Sequence, residues 1–292
     1  MCSVRSSGLH KNPKCPSRSV GGPVDPLFGG KSWGKRKMEM TLPRKSIWGL
    51  SIRFVMLMGF LWMGIGAPSA AAFDPRDMLT LLDEMDSSYS RVNDYVAVFH
   101  KQERIDGKLN EGETALLKFQ KPFKVYMKFT GGPSTGTEVL YAEGSYENKL
   151  LVRQGGIWGV MTLSLDPRGS LAMSRSRHPV TELGFGFLLA EFRRNIEPAI
   201  RSGELEIMRL TDETFNGRPA TVVEGKCFSH GGRKYNSARF IMHIDKELLL
   251  PVGDVFYDGK NEMFEDYVFT DVKLNVGLTA TDFSRYNKSY RF

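Results

Sequence analysis

"LLLPVGDVFYDGKNEMFEDYVFTDVKLN" runs from Leu248 to Asn275 and reads as two strands around a tight turn at Asp258-Gly259. Both runs carry large apolar residues in alternating positions. In the second run Phe264 and Val268 point one way, and Met263, Tyr267 and Phe269 the other. "LEIMRL" repeats the pattern, with Leu205 and Ile207 opposite Met208 and Leu210. A strand that is apolar on both faces needs two covers. One can be a helix; the other is more protein, a partner or a ligand.

Outward from this hairpin, strand patterns fill most of the chain. "FKVYMKF" alternates Val125, Met127 and Phe129 against Lys124, Tyr126 and Lys128. Turn signals stand at Asp106-Gly107, Gly131-Gly132-Pro133, Gly155-Gly156, Asn216-Gly217 and Gly231-Gly232. Two stretches have helical spacing instead. "FDPRDMLTLLDEMDSSYSRV" (73–92) has Asp74 as a cap, Pro75 at the first helical position and Asp77 for a capping box. "VTELGFGFLLAEFRRNIEPAIRSG" (180–203) puts Phe185, Leu188, Leu189, Phe192, Ile196 and Ile200 on one face. Thr181 suits its cap and Gly203 its stop, and Pro198 should kink or end it near the last turn. The order is helix, five or six strands, helix, about five strands. Neighbouring hairpins predict antiparallel pairing in one α+β domain over 73–292.

The chain has 292 residues and a formal charge of +7. Eleven of its 40 Lys and Arg, but only two of its 33 acids, lie in residues 1–72. The remainder is near neutral at −2, which removes the main support for a nucleic-acid partner. Residues 1–72 read as an extension and a secretory signal. Lys35, Arg36, Lys37, Arg44, Lys45 and Arg53 precede the apolar run "FVMLMGFLWMGIG" (54–66), and "APSAAAFDP" offers cleavage after Ala72. The run is shorter than the ~20 residues that span a bilayer. Only Cys227 follows the cleavage site, so no intrachain disulfide is available there. The expected location is a periplasm.

Chemistry-bearing patterns are weak. "GPSTG" (132–136) matches a nucleophile elbow literally, but a strand rather than a helix follows Ser134, so a hairpin loop is the plainer reading. Cys227 has no base near it in sequence. His100, His178, His230 and His243 lack metal-pair spacing, and Asp254, Asp258 and Glu262 miss the EF-hand pattern. Asp83-Glu84 and Glu265-Asp266 are adjacent, so their side chains diverge. His178, beside Arg175 and Arg177 in the irregular "DPRGSLAMSRSRHP" (166–179), could meet an anion such as a lipid phosphate. A solvated loop is the alternative. No enzyme, metal or cofactor is expected.

Three stretches resemble the LolA/LolB family of periplasmic lipoprotein carriers. They are "YVAVFHKQERIDGKLNEGETALLKFQKPFKVYMKF" (95–129), "TEVLYAEGSYENKLLVRQ" (137–154) and "LLLPVGDVFYDGKNEMFEDYVFTDVKLNVGLTATDF" (248–283). The resemblance covers most of 74–286, and "RHPVTELGFGFLL" (177–189) looks peculiar to a separate bacterial branch. It implies an incomplete antiparallel β-barrel of about 10–11 strands, with helices closing an apolar cavity for acyl chains. An arginine before the proline helps hold the family's lid. Lys121 in "FQKPF" stands there and lacks the planar donor fork. No Cys follows the cleavage site, so the soluble-carrier side of the family fits better. Implied wall residues are Leu117, Phe119, Val125, Met127, Phe129, Leu140, Phe240, Met242, Ile244, Val255 and Tyr257. Implied lid residues are Phe185, Leu188 and Phe192. A slip of one residue would reverse the wall assignments. The expected function is non-enzymatic binding of lipid or lipoprotein acyl chains. The alternative is an envelope protein-binding or sensor module that grips a membrane protein with the same fold.

Overall fold

A computed structural model describes residues 74–292, apart from 157, 158, 160, 230, 231 and 233. The expected signal peptide, its cleavage at Ala72 and the turn at His230 lie outside the described residues. Helix α1 spans Asp77–Ser90. It is followed by β1 (Asp94–Ile105), β2 (Lys108–Leu109), β3 (Glu113–Gln120), β4 (Lys124–Gly131), β5 (Glu138–Ala142), β6 (Leu150–Arg153) and β7 (Thr162–Leu165). Short α2 (Ser170–Met173) and long α3 (Phe185–Arg201) come next. The chain closes with β8 (Leu205–Phe215), β9 (Arg218–Cys227), β10 (Arg239–Asp245), β11 (Leu250–Tyr257) and β12 (Met263–Leu274).

All described pairings are antiparallel, in the order β7-β6-β5-β4-β3-β1-β12-β11-β10-β9-β8, with β2 a spur on β1. The first and last strands of this order do not pair, so the sheet is open. The incomplete antiparallel architecture matches the sequence expectation, with twelve strands rather than 10–11. Tight turns fall where Asx-Gly predicts them. Asp106 and Gly107, and Asn216 and Gly217, have the successive positive φ values of a two-residue hairpin. The turn at Asp258-Gly259 is wider, because Asp258 Oδ1 accepts from Lys260 N and Glu262 N, both at 2.9 Å.

Register fixes which side chains share a face. One row crosses Ala97, Leu117, Met127, Val139, Val152 and Leu163. A second crosses Phe269, Phe99, Ala115 and Phe129. The helices lie over this same face. α1 and α3 cover its β8–β12 side through Met78, Leu82, Met85, Leu189, Ile196, Val223, Met242 and Ile244, all nearly inaccessible. Burying each such side chain contributes roughly 1.5–3 kcal/mol.

The opposite face has its own cover. The segment after β12 crosses β3–β5, where Tyr290 stacks on Tyr126 at 3.7 Å and Lys118 Nζ pairs with Asp282 at 3.2 Å. Arg291 Nε reaches the fully buried Glu138 carboxylate at 2.9 Å. The apolar character of both faces there has a protein explanation: helices on one side and the chain's C-terminal segment on the other. β8 departs from it, since Met208 is 52% and Leu210 40% exposed.

Two helix starts differ from the sequence reading. Asp74 accepts from Arg76 N in a turn before α1, whose flanking residue is Arg76. α3 begins after Gly184, not Thr181, because Gly184 takes φ +93° against the Tyr95 ring, where a Cβ would sit 2.3 Å from Tyr95 Oη. Pro198 lies in the final turn of α3, which ends three residues later.

Candidate functional site

The β1–β7 side of the helix-covered face is roofed by the segment between β7 and α3, and a cavity of about 230 Å³, open to solvent along part of its rim, lies between them. Its floor is Met127, Phe129, Val139, Leu150 and Val152. Its roof is Leu171, Ala172, Val180, Leu183 and Leu188. Apolar residues dominate because the alternate positions of β4–β6 face inward.

One end of the cavity is charged. On β1 the inward positions run Tyr95, Ala97, Phe99, then Lys101 and Glu103. Lys101 Nζ lies 3.2 Å from Glu103, 3.6 Å from Glu113, and 2.8 Å from Ser176 Oγ. Tyr267 donates to Glu103 at 2.6 Å. Burial, then the charges of Glu265 and Glu103, push the Tyr267 phenol well above its ordinary range. Arg177 Nε and His178 Nε2 converge on Glu265 Oε1 at 2.6 and 2.9 Å, and His178 Nδ1 meets Glu182 at 3.2 Å. Burial alone would lower the His178 pKa. The Glu265 and Glu182 hydrogen bonds and the charge of Glu103 outweigh it and hold the pKa above the usual value. The Arg-His cluster of the sequence is therefore committed to the chain's own carboxylates. Removing one partner from such a desolvated network strands the other, which costs about 3–5 kcal/mol when fully buried.

The expected cavity residues divide into groups. Met127, Phe129 and Leu188 line the cavity. Leu117, Phe119, Val125 and Phe185 share the inward face but are consumed in its packed core. Phe192 and Phe240 line a second space beside α3, while Met242 and Ile244 lie beneath the helices. Four residues lie elsewhere than the sequence places them. Leu140 pairs with Tyr126 on the opposite face; all five β5 residues are buried, so burial there carries no alternation. Val255 and Tyr257 oppose Ile241 and Arg239, on the far face from Met242 and Phe256. The apparent phase of β11 reverses because Asp254, the polar residue of "PVGDVFY", points inward and is fully buried. Lys121 lines neither cavity. Its ammonium donates to Tyr89 O at 2.7 Å and sits 3.9 Å from the centre of the Tyr89 ring, tying the β3–β4 turn to the end of α1. Burial lowers its pKa.

Sequence reasoning missed Lys101, Glu103 and Glu113, and set Glu265 aside as half of an adjacent carboxylate pair. The available signal was parity, since Lys101 and Glu103 continue the inward face of an apolar strand. Ser134 lines the cavity and donates to Glu113 from within a turn. Burial raises the Cys227 thiol to about 11, so it is poorly suited to nucleophilic attack. Among the described residues, no group of three or more His, Cys, Asp or Glu is arranged to hold a metal ion. No described helix is long and apolar enough to cross a membrane.

Residues 92–292 match a family model described as a protein of unknown function, DUF1571. No curated protein matches the sequence. Similar solved structures include the Mycobacterium tuberculosis lipoprotein LppX, at 14% identity over 70% of this chain and 98% of that one, with TM-score 0.42. A LolA superfamily protein from Nitrosomonas europaea has 11% identity over 71% and 97%, with TM-score 0.29. The Pseudomonas aeruginosa MucA/MucB complex is matched at 16% identity over 73% of this chain and 61% of that one, with TM-score 0.36.

Proposed function

The chain belongs to the DUF1571 family, and we propose that it is an exported binding protein that shelters the apolar part of an amphiphile, such as a lipid or a lipoprotein's acyl chains. The observation that carries this reading is the apolar cavity between β4–β6 and the 166–184 segment, charged at one end. Shelter needs no chemistry. Each CH2 group withdrawn from water contributes about 0.8 kcal/mol. Charged groups already neutralised by one another at the cavity end leave a polar boundary where a headgroup can remain near water. Export is proposed from the basic, apolar and small-residue pattern of residues 1–72.

Native mass spectrometry of the protein purified from a bacterial periplasm without detergent tests the reading. The expected result is a discrete added mass, released by organic solvent as lipid. A bare mass that takes up neither fatty acid nor phospholipid would remove it. Met127→Glu should lower lipid affinity by at least about tenfold in a folded protein, because an unpaired carboxylate in an apolar cavity costs several kcal/mol.

One observation favours a second reading, a module that grips an envelope protein. β8 offers an open edge with exposed Met208 and Leu210. A photo-crosslinker at Leu210 should then capture one envelope protein in cells, and Met208→Lys should abolish the capture.

A further inference from the structure

We infer that the ligand has two apolar chains, one for each of two cavities that meet beneath the first turns of α3; this rests on the amphiphile-binding reading and specifies its ligand. The second cavity, of about 240 Å³, lies between α3 and β9–β12. Its apolar lining includes Phe192, Ile196, Cys227, Phe240, Phe256 and Phe264. Phe264 joins it because a bulge opposite Phe256 and Tyr257 inserts one extra residue in β12.

Three observations point to one bipartite site. The two cavities share four lining residues, His178, Phe187, Leu188 and Tyr267, so a single wall separates them. Each is smaller than the roughly 300–1,000 Å³ of a small-molecule pocket, and only together do they reach it. Both open to solvent along part of their rim, beside a core whose other side chains are almost fully buried.

The shared wall also says where the chains join. His178 and Tyr267 contact Glu265 and Glu103, and Arg177 completes the group. A single chain threading both cavities would drag methylenes across this charged wall. A molecule branched at a polar junction instead places the junction at the wall and sends one chain to each side of Leu188. The chemical class is a two-chain amphiphile, a diacyl glycerolipid or the equivalent part of a lipidated protein.

Cys227 supplies the test, because it lines the second cavity and not the first. The full chain is incubated with N-ethylmaleimide at mildly alkaline pH, and alkylation of the peptide containing Cys227 is followed by mass spectrometry. Dipalmitoyl phosphatidylglycerol and its one-chain lyso form are compared, each with affinity measured in parallel. At a concentration ten times Kd the two-chain lipid should slow Cys227 alkylation about tenfold, as the empty fraction falls. The lyso lipid should bind yet leave the rate within about twofold of the free protein. Equal protection by both lipids would mean that one chain threads both cavities. Two-chain binding without protection would place the second chain elsewhere. Either result overturns the inference while leaving amphiphile binding intact. Failure of both lipids to bind would overturn that reading and the inference with it.

Discussion

Asp254 is fully buried opposite Met242 and Tyr267, and neither carboxyl oxygen has a hydrogen-bond partner among the described residues. Desolvation, then the negative charge of Asp266, push its pKa well above the carboxylate range, so folding favours the neutral acid. The unfolded chain ionises this group near pH ~3.9. Above that pH, folding must take up a proton. The stability is fully present below the unfolded pKa and falls as pH rises toward the raised folded value, by at most about 1.4 kcal/mol per pH unit. Asp254→Asn cannot ionise. In urea melts its stability relative to the native chain should be level below about pH 4 and improve steadily above it. A difference independent of pH would mean that the carboxylate is solvated or paired. The same residue explains where the sequence was illegible. Alternation in β4 was readable because Lys124, Tyr126 and Lys128 point away from the inward row. In β11 the polar residue faces inward, and it reversed the apparent phase of Val255 and Tyr257.

The 166–184 segment gains its structure from partners far away in the chain. Its cations were visible in "DPRGSLAMSRSRHP", but Glu103 and Glu265 stand 74 and 88 residues from Arg177, beyond any local pattern. The helices and hairpins were legible because their signals are local: apolar spacing in α3, Asx-Gly at the turns. Around His178 stand Glu182 on its own segment, Glu265 of β12, Glu103 of β1, Arg177, and the Phe187 ring of α3 at 4.9 Å. Because the folded His178 pKa is raised, its contribution is fully present below the unfolded value of about 6.5 and is lost as pH rises through the folded value. Amide hydrogen exchange across 170–184, corrected for intrinsic rate, should therefore accelerate on that rise, and His178→Gln should abolish the pH dependence. Arg177→Ala should accelerate exchange at every pH, by about tenfold or more, since hydrogen bonds to charged groups contribute about 1.5–3 kcal/mol. Unchanged exchange in Arg177→Ala would show that the segment is held by its apolar contacts alone.

The fold assigns its two sheet faces to different tasks, and the assignment can be separated experimentally. On one face Met127, Val139 and Val152 line the cavity. On the other Tyr126 and Leu140 lie in the row crossed by the C-terminal segment, which is anchored by Asp94 accepting from Gly277 N and Leu278 N at 3.2 and 3.3 Å, and by Phe283 and Tyr290. The apolar character of both faces was legible from sequence; the identity of the second cover was not, because the covering residues follow the last strand in a stretch with no period. Tyr290→Ala removes a buried ring stacked on Tyr126 and should cost about 2–4 kcal/mol. In a domain of this size that lowers Tm by roughly 4–16 °C. Lipid affinity at a temperature where the variant is folded should stay within about twofold of the native protein, since mutations at distant sites act nearly independently. Met127→Glu should show the converse, with affinity lost in a protein that remains folded. If Tyr290→Ala weakens binding as much as Met127→Glu does, the C-terminal segment holds the cavity open through the sheet and the two faces act as one unit.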